Sequence, residues 1–303
     1  MKKLVLTLCF LLTVGSATKA ETNMETQKVV FVNKQLGTRM AGLLRLPAGF
    51  NLSHNYPAVV VTGPMLSVKE QAQSVYAERL TAAGFVTLVF DGTYFGESEG
   101  EPRQQELPDV KESDIERAVD FLVSLPYVDN DRIGGLGICG SGSYMSVAGV
   151  KEPRLKAITA IVPAIADISK SAMAGFFRPE DEVKAAKEAY EQGKGGLMHL
   201  NFMPRAFDEG AAYYYSSRGT HPRWSNQVVA WSQLELVKYN VVSIMKDMKK
   251  PYLVITGENA WSREASTGFS MPCPIPKSRC TSSQRPATSI CTTSLRSSVK
   301  HSS

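Results

Sequence analysis

The amino-acid sequence predicts an α/β fold, a doubly wound and mostly parallel sheet that carries a helical cap insertion. Short runs rich in Val, Ile and Phe alternate with segments of helical periodicity, the pattern of strands covered on both faces by crossover helices. One long stretch, residues 164–248, interrupts that alternation before a further strand-like run resumes it. The 303 residues leave room for one large domain or two small ones. A composition 43% hydrophobic and 21% charged excludes disordered, collagen-like and disulfide-scaffold proteins.

In chain order, Met1-Lys2-Lys3 followed by the apolar run Leu4–Val14 and the small residues up to Ala20 reads as a signal peptide over residues 1–20. The protein is therefore expected to be exported, periplasmic or extracellular, with no membrane span after cleavage. Lys28–Asn33 and Arg39–Leu46 are expected to pair antiparallel at the edge of the sheet. Pro57–Thr62 reads as a buried strand and Lys69–Ala83 as a helix facing the core through Ala72, Val75, Tyr76, Leu80 and Ala83. Gly84 ends that helix, and Phe85–Phe90 is a second buried strand. Residues 92–108, rich in Gly, Glu and Pro, read as a surface loop. Ser113-Asp114-Ile115-Glu116 has the form of a capping box opening the next helix. Ile133–Ile138, Lys156–Val162 and Tyr252–Thr256 supply further strands. The insertion holds a charged helix near Pro179–Gln192, the run Tyr213-Tyr214-Tyr215, Trp224 and Trp231, and should fold over the carboxyl edge of the sheet.

The densest chemical signal is Gly137-Ile138-Cys139-Gly140-Ser141-Gly142, where a strand turns into a helix. A nucleophile on so sharp a turn takes a strained backbone conformation, which demands small residues two before and two after it. Centred on Cys139 those positions are Gly137 and Ser141. Centred on Ser141 they are Cys139 and Ser143, a poorer fit. Cys139 is also the lone cysteine of residues 21–269, so it has no partner there for a disulfide. The N–H of Gly140 would serve an oxyanion, and the helix terminus favours a thiolate that alkylates readily at neutral pH.

Through these residues the sequence resembles the α/β-hydrolase superfamily, specifically its dienelactone-hydrolase-like branch, in which Cys occupies the Gly-x-Cys-x-small-Gly elbow. The resemblance extends over about residues 28–268, including Thr62-Gly63-Pro64-Met65, Phe90-Asp91-Gly92 with Gly96-Glu97-Ser98, and Asp208-Glu209-Gly210. It implies hydrolysis of an ester, lactone or thioester of a small molecule through an acyl-enzyme. It also implies a second oxyanion donor in the loop after Val61, for which Met65 is the candidate because Pro64 has no N–H. Glu258, after the strand ending at Thr256, is the implied acid. Neither a metal nor an organic cofactor is implied.

Two other readings stay open. Gly135-Leu136-Gly137-Ile138-Cys139-Gly140 matches the Gly-x-Gly-x-x-Gly fingerprint of dinucleotide-binding oxidoreductases, with Asp167 as the acid beyond it. A non-catalytic binding protein on a hydrolase scaffold is the other. The tail bears on that choice. Residues 270–303 hold 14 Ser or Thr, no Asp or Glu, and no apolar periodicity. They replace the last core strand, the loop with a general-base His and the closing helix that the resemblance implies. His54, His199, His221 and His301 all stand outside the expected place of that base. A frameshift near Met271 is the proposed origin of the tail, and this chain is expected to be impaired. Lys277, Arg279, Arg285, Arg296 and Lys300 also account for the whole formal charge of +5. The remainder sums to zero, which argues against a nucleic-acid partner.

Overall fold

The computed structural model describes residues 24–170, 177–201, 208–260, 263–267, 280–282 and 289–293. The expected signal peptide and most of the tail, His301 included, lie outside them. Eleven strands are assigned among the described residues, β1 (Glu25–Asn33), β2 (Thr38–Leu46), β3 (Tyr56–Thr62), β4 (Val86–Phe90), β5 (Val128–Ile138), β6 (Leu155–Ile161), β7 (His199–Asn201), β8 (Gln227–Val229), β9 (Tyr252–Thr256), β10 (Cys280–Ser282) and β11 (Ser289–Thr293). The helices are α1 (Ala72–Ala82), α2 (Pro108–Val123), α3 (Gly140–Lys151), α4 (Glu180–Glu191), α5 (Asp208–Tyr215), α6 (Gln233–Leu236), α7 (Val241–Met245) and α8 (Arg263–Thr267).

The main sheet runs β1-β2-β4-β3-β5-β6-β9-β11-β10, and its centre, β4-β3-β5-β6-β9, is parallel throughout. Both faces of the central strands are buried, which is why Ala58-Val59-Val60-Val61 is apolar without alternation. Val60, Leu88, Ile133 and Ile158 face α2, α3 and α7 on one side. Val59, Val61, Val89 and Leu136 face α1 on the other. β1 pairs antiparallel with β2 at one edge, as the sequence predicts. At the far edge the described tail residues form an antiparallel hairpin on β9, with Ile290 opposite Ile255, where the fold class calls for a parallel strand.

Three local expectations are corrected. α1 begins at Ala72 and buries Gln73, Ser74, Ala77 and Thr81, while Val75 and Tyr76 are exposed. Its polar residues are drawn inward by hydrogen bonds, among them Gln73 Nε2 to the Val68 carbonyl (2.8 Å) and Arg45 to Ser74 Oγ (2.9 Å). The capping box is not one, because α2 begins at Pro108, whose fixed φ and missing N–H suit a first helical turn. Ser113 and Asp114 sit within that helix, where both accept hydrogen bonds from Asn33 Nδ2. The loop ahead of α2 is no surface loop, since Phe95 and Glu106 are each 1% exposed.

The insertion leaves the sheet through a narrow stem. Asp167 and Asn240 form an isolated antiparallel bridge, flanked by Ile168 N–H to the Tyr239 carbonyl (3.3 Å) and Val241 N–H to the Ala166 carbonyl (3.2 Å). Beyond the stem the chain returns over the loops that follow β3 and β4. Gln71 Nε2 donates to the Gly219 carbonyl (2.5 Å), and Arg223 pairs with Glu70 and Glu97. Beneath that contact lies a buried ionic cluster. Lys69 meets Asp91 at 2.7 Å, Glu70 at 3.1 Å and Glu97, and burial, which alone would depress its ammonium, is outweighed by these carboxylates.

Candidate active site

β5 ends and α3 begins at Cys139, whose backbone is held at φ 56° and ψ −121°. L residues enter that region only under constraint. The constraint is visible on both sides. Cys139 N–H donates to the Ile161 carbonyl (2.9 Å), and its own carbonyl accepts from Gly142 N–H (2.9 Å). A side chain at Gly137 would overlap the Ser141 carbonyl, and one at Gly142 would come within 2.9 Å of Pro163 Cβ. Leu66 and Val162 also have positive φ, of 64° and 43°. The strained residues Leu66, Cys139 and Val162 therefore follow β3, β5 and β6 at the carboxyl ends of neighbouring strands.

The structure brings Met65 against Gly140, close enough that a Cβ on Gly140 would overlap the Met65 side chain. The Met65 N–H has no hydrogen-bond acceptor among the described residues. Burial pushes the Cys139 thiol up, the Gly140 N–H opposes that rise, and the nearby Glu106 carboxylate adds to it. Burial outweighs the helix terminus, which corrects the expected readily formed thiolate. Ser141, the other candidate nucleophile, lies in the first turn of α3 and faces a polar cavity with Thr62, Ser67, Gln73, Lys111 and Tyr144.

Among the described residues Glu258 shares no hydrogen bond with Cys139. It is exposed in the loop after β9, where its carbonyl accepts from Arg263 (3.2 Å). Histidine is equally distant from the thiol's hydrogen bonds. His54 packs near Tyr56, His199 opens β7, and His221 Nδ1 accepts from Arg223 N–H (3.3 Å). Among the described residues none of the three shares a hydrogen bond with Cys139.

The glycine fingerprint has a packing explanation. Gly135 and Gly137 let Met145 of α3 approach the strand, and Gly140 admits Met65. Asp167 accepts from Asn240 Nδ2 (3.1 Å) and Ser169 Oγ (2.6 Å), closing the stem of the insertion. The residues that a dinucleotide would need are thus engaged in the fold itself.

Sequence reasoning missed Glu106, Lys111 and Tyr144. Tyr144 is buried in α3, touches Tyr239 (5.7 Å between rings), and lies within electrostatic reach of Glu106 and Cys139. It walls both the polar cavity and an apolar one formed with Met65, Gly140, Ile168 and Leu236. Tyr214 of the insertion stacks on Trp224 (5.5 Å), and burial together with the charge of Cys139 raises its phenol. An aromatic in the first turns of the helix after the elbow was the one available signal, and it singles out Tyr144. Glu106 carried none. Among the described residues no helix is long and apolar enough to cross a membrane, and no His, Cys, Asp and Glu cluster could hold a metal.

Comparison with known proteins extends this geometry to relatives. Residues 37–199, more than half of the chain, match the family described as X-Pro dipeptidyl-peptidase (S15 family). PA2218 of Pseudomonas aeruginosa, an uncharacterized protein, is 33% identical over 265 residues, which cover 79% of this chain and 69% of that one. Its crystal structure superposes with a TM-score of 0.74 at 29% identity, covering 88% of this chain and 87% of that one. The α/β hydrolase GrgF of Penicillium sp. sh18 shares the fold at 18% identity, with a TM-score of 0.65 over 79% of this chain and 82% of that one. The thiohydrolase aneE of Aspergillus aculeatus is 32% identical over 143 residues, 46% of this chain and 45% of that one.

Proposed function

The chain belongs to the S15 family of α/β hydrolases, and from that premise we propose that it cleaves ester, lactone or thioester bonds through a cysteine nucleophile, as in the dienelactone-hydrolase-like branch. One observation carries the reading, the forced φ of 56° at Cys139 where β5 turns into α3. Strain of that kind persists only where surrounding structure fixes it, and it clusters at reactive sites. The relative named a thiohydrolase supports the thioester end of the range.

In this reading the Cys139 thiol loses its proton to solvent base, and the sulfur attacks the carbonyl carbon. The C=O electron pair moves onto oxygen, which accepts from the N–H groups of Gly140 and Met65. Collapse of that adduct restores the C=O and expels an alkoxide or thiolate, which takes a proton from water. Water must then attack the thioester of Cys139 with help from a base, the role the resemblance implies for a His steered by Glu258. Proton transfer of that kind is worth ~10²–10⁴-fold. A chain without it accumulates acyl-enzyme.

After reaction of the full chain with a reactive aryl thioester, peptide mapping should find an acyl group on Cys139, formed faster at pH 9 than at pH 7. Cys139→Ala should carry adducts only on the thiols that it shares with the full chain, Cys9, Cys273, Cys280 and Cys291. An acyl group on Ser141 would assign the chemistry there. Sustained turnover by the full chain would refute the missing base.

We further propose a cleaved signal over residues 1–20, a hydrolase domain over 21–269 with its cap about 164–248, and a tail from 270 read out of frame. The amino-terminal sequence of the exported protein tests the first. The gene's nucleotide sequence tests the last.

A further inference from the structure

We infer that Glu106 is a specificity-determining residue, accepting a hydrogen bond from a neutral hydroxyl on the acyl chain of the substrate. The inference deepens the reading above and rests on its placement of the carbonyl at Gly140 and Met65. Glu106 is 1% exposed, and neither of its carboxylate oxygens has a hydrogen bond of good geometry among the described residues, although Tyr144 stands close enough to interact with it. Buried acceptors are ordinarily satisfied, because leaving one without a donor costs its full desolvation. The missing donor need not carry charge. Lys111 Nζ stands 3.4 Å from Oε2, offsetting the carboxylate, and the same ammonium sits 3.8 Å over the ring of Phe95. A cationic ligand would leave that cluster with a surplus positive charge in a buried place. A hydroxyl would not.

The position suits an acyl chain. Tyr144 adjoins the Glu106 carboxylate and walls the apolar cavity that begins at Met65 and Gly140. Glu106 lines neither cavity itself, and the proposed hydroxyl sits at the Tyr144 end of the apolar one, next to the carboxylate. Ala164, Ile168 and Leu236 in the same cavity accommodate the aliphatic part of the acyl chain. The carboxylate is also held still from behind. Glu106 N–H donates to Ser232 Oγ (3.0 Å), Trp231 Nε1 donates to Gln105 Oε1 (3.3 Å), and the Gln104 carbonyl accepts from Val229 N–H (2.9 Å). All three partners belong to the insertion, so the group that reads the substrate is set by the cap.

The test needs no chemistry at Cys139. N-butylhexanamide and its 3-, 4- and 5-hydroxy derivatives are titrated calorimetrically into the full chain, Glu106→Gln and Glu106→Leu. At least one hydroxy isomer should bind the full chain ~10-fold or more tightly than the parent amide, as expected for a hydrogen bond to a charged acceptor. That preference should shrink to a few-fold in Glu106→Gln and vanish in Glu106→Leu. Glu106→Leu should melt lower than the full chain, since it leaves the Lys111 ammonium without its counter-charge, and Glu106→Gln serves as the milder variant. If the leucine variant fails to fold, the glutamine variant alone decides. Equal affinities for all four amides, or a preference that survives either substitution unchanged, would overturn the inference and leave Glu106 to an ordered water. Failure of Cys139 to acylate, with the hydroxyl preference intact, would sink the cysteine reading and not this one.

Discussion

The backbone at Cys139 occupies a region that glycine enters freely and other residues enter at a cost of roughly 1–3 kcal/mol. Cys139→Ala retains that cost and Cys139→Gly removes it. We expect the glycine variant to be the more stable of the two by about 1–2 kcal/mol in urea unfolding. Equal stability would mean that the turn relaxes when the thiol is gone. The small residues around this turn were legible in the sequence because sterics alone dictates them, as Gly137 against the Ser141 carbonyl demonstrates. Glu106 was illegible for the opposite reason. A glutamate in a Gly- and Pro-rich stretch reads as solvated, and nothing local reveals that the insertion, more than a hundred residues later, will close over it. The state of the thiol was misread on similar grounds, since the helix terminus is written in the sequence and the burial around it is not.

At the scale of elements, the strands of the parallel centre could be read directly, their apolar runs being long enough to need cover on both faces. Helix faces could not. The inward side of α1 is polar because Gln73 and Ser74 bind loops rather than a core, and no periodicity of apolar residues announces that. Those loops converge on Lys69, which is 1% exposed beside the fully buried Asp91. Asp91 also accepts from the backbone N–H of Lys69 (2.7 Å) and of Glu97 (2.9 Å), so one carboxylate joins the loops after β3 and β4. Lys69→Met would leave Asp91 buried without its counter-charge. A loss of about 3–5 kcal/mol is expected, read from the urea midpoint. A loss below about 1 kcal/mol would indicate that water reaches Asp91 and that the cluster is worth no more than a surface pair.

Over the whole molecule, burial raises the phenols of Tyr144, Tyr214, Tyr239 and Tyr252 as well as the Cys139 thiol. In the unfolded chain the thiol ionises near ~8.5 and the phenols near ~10. Each raised group therefore stabilises the fold fully below its unfolded value and less as pH climbs beyond it, because the unfolded chain then binds fewer protons. The urea midpoint should hold from pH 7 to 8 and fall steadily between pH 9 and 11; a flat profile across that range would show that these groups ionise in place. The bridge between Asp167 and Asn240 has another kind of consequence. It gathers both ends of the insertion into one hydrogen-bonded neck, so whatever the chain does between residues 168 and 239 is mechanically invisible to the register of the sheet. A different excursion with ends of the same spacing could be grafted onto that neck without moving β6, β9 or the turn at Cys139. Inheritance can thus exchange the part that chooses among substrates while transmitting the strands and the turn unaltered.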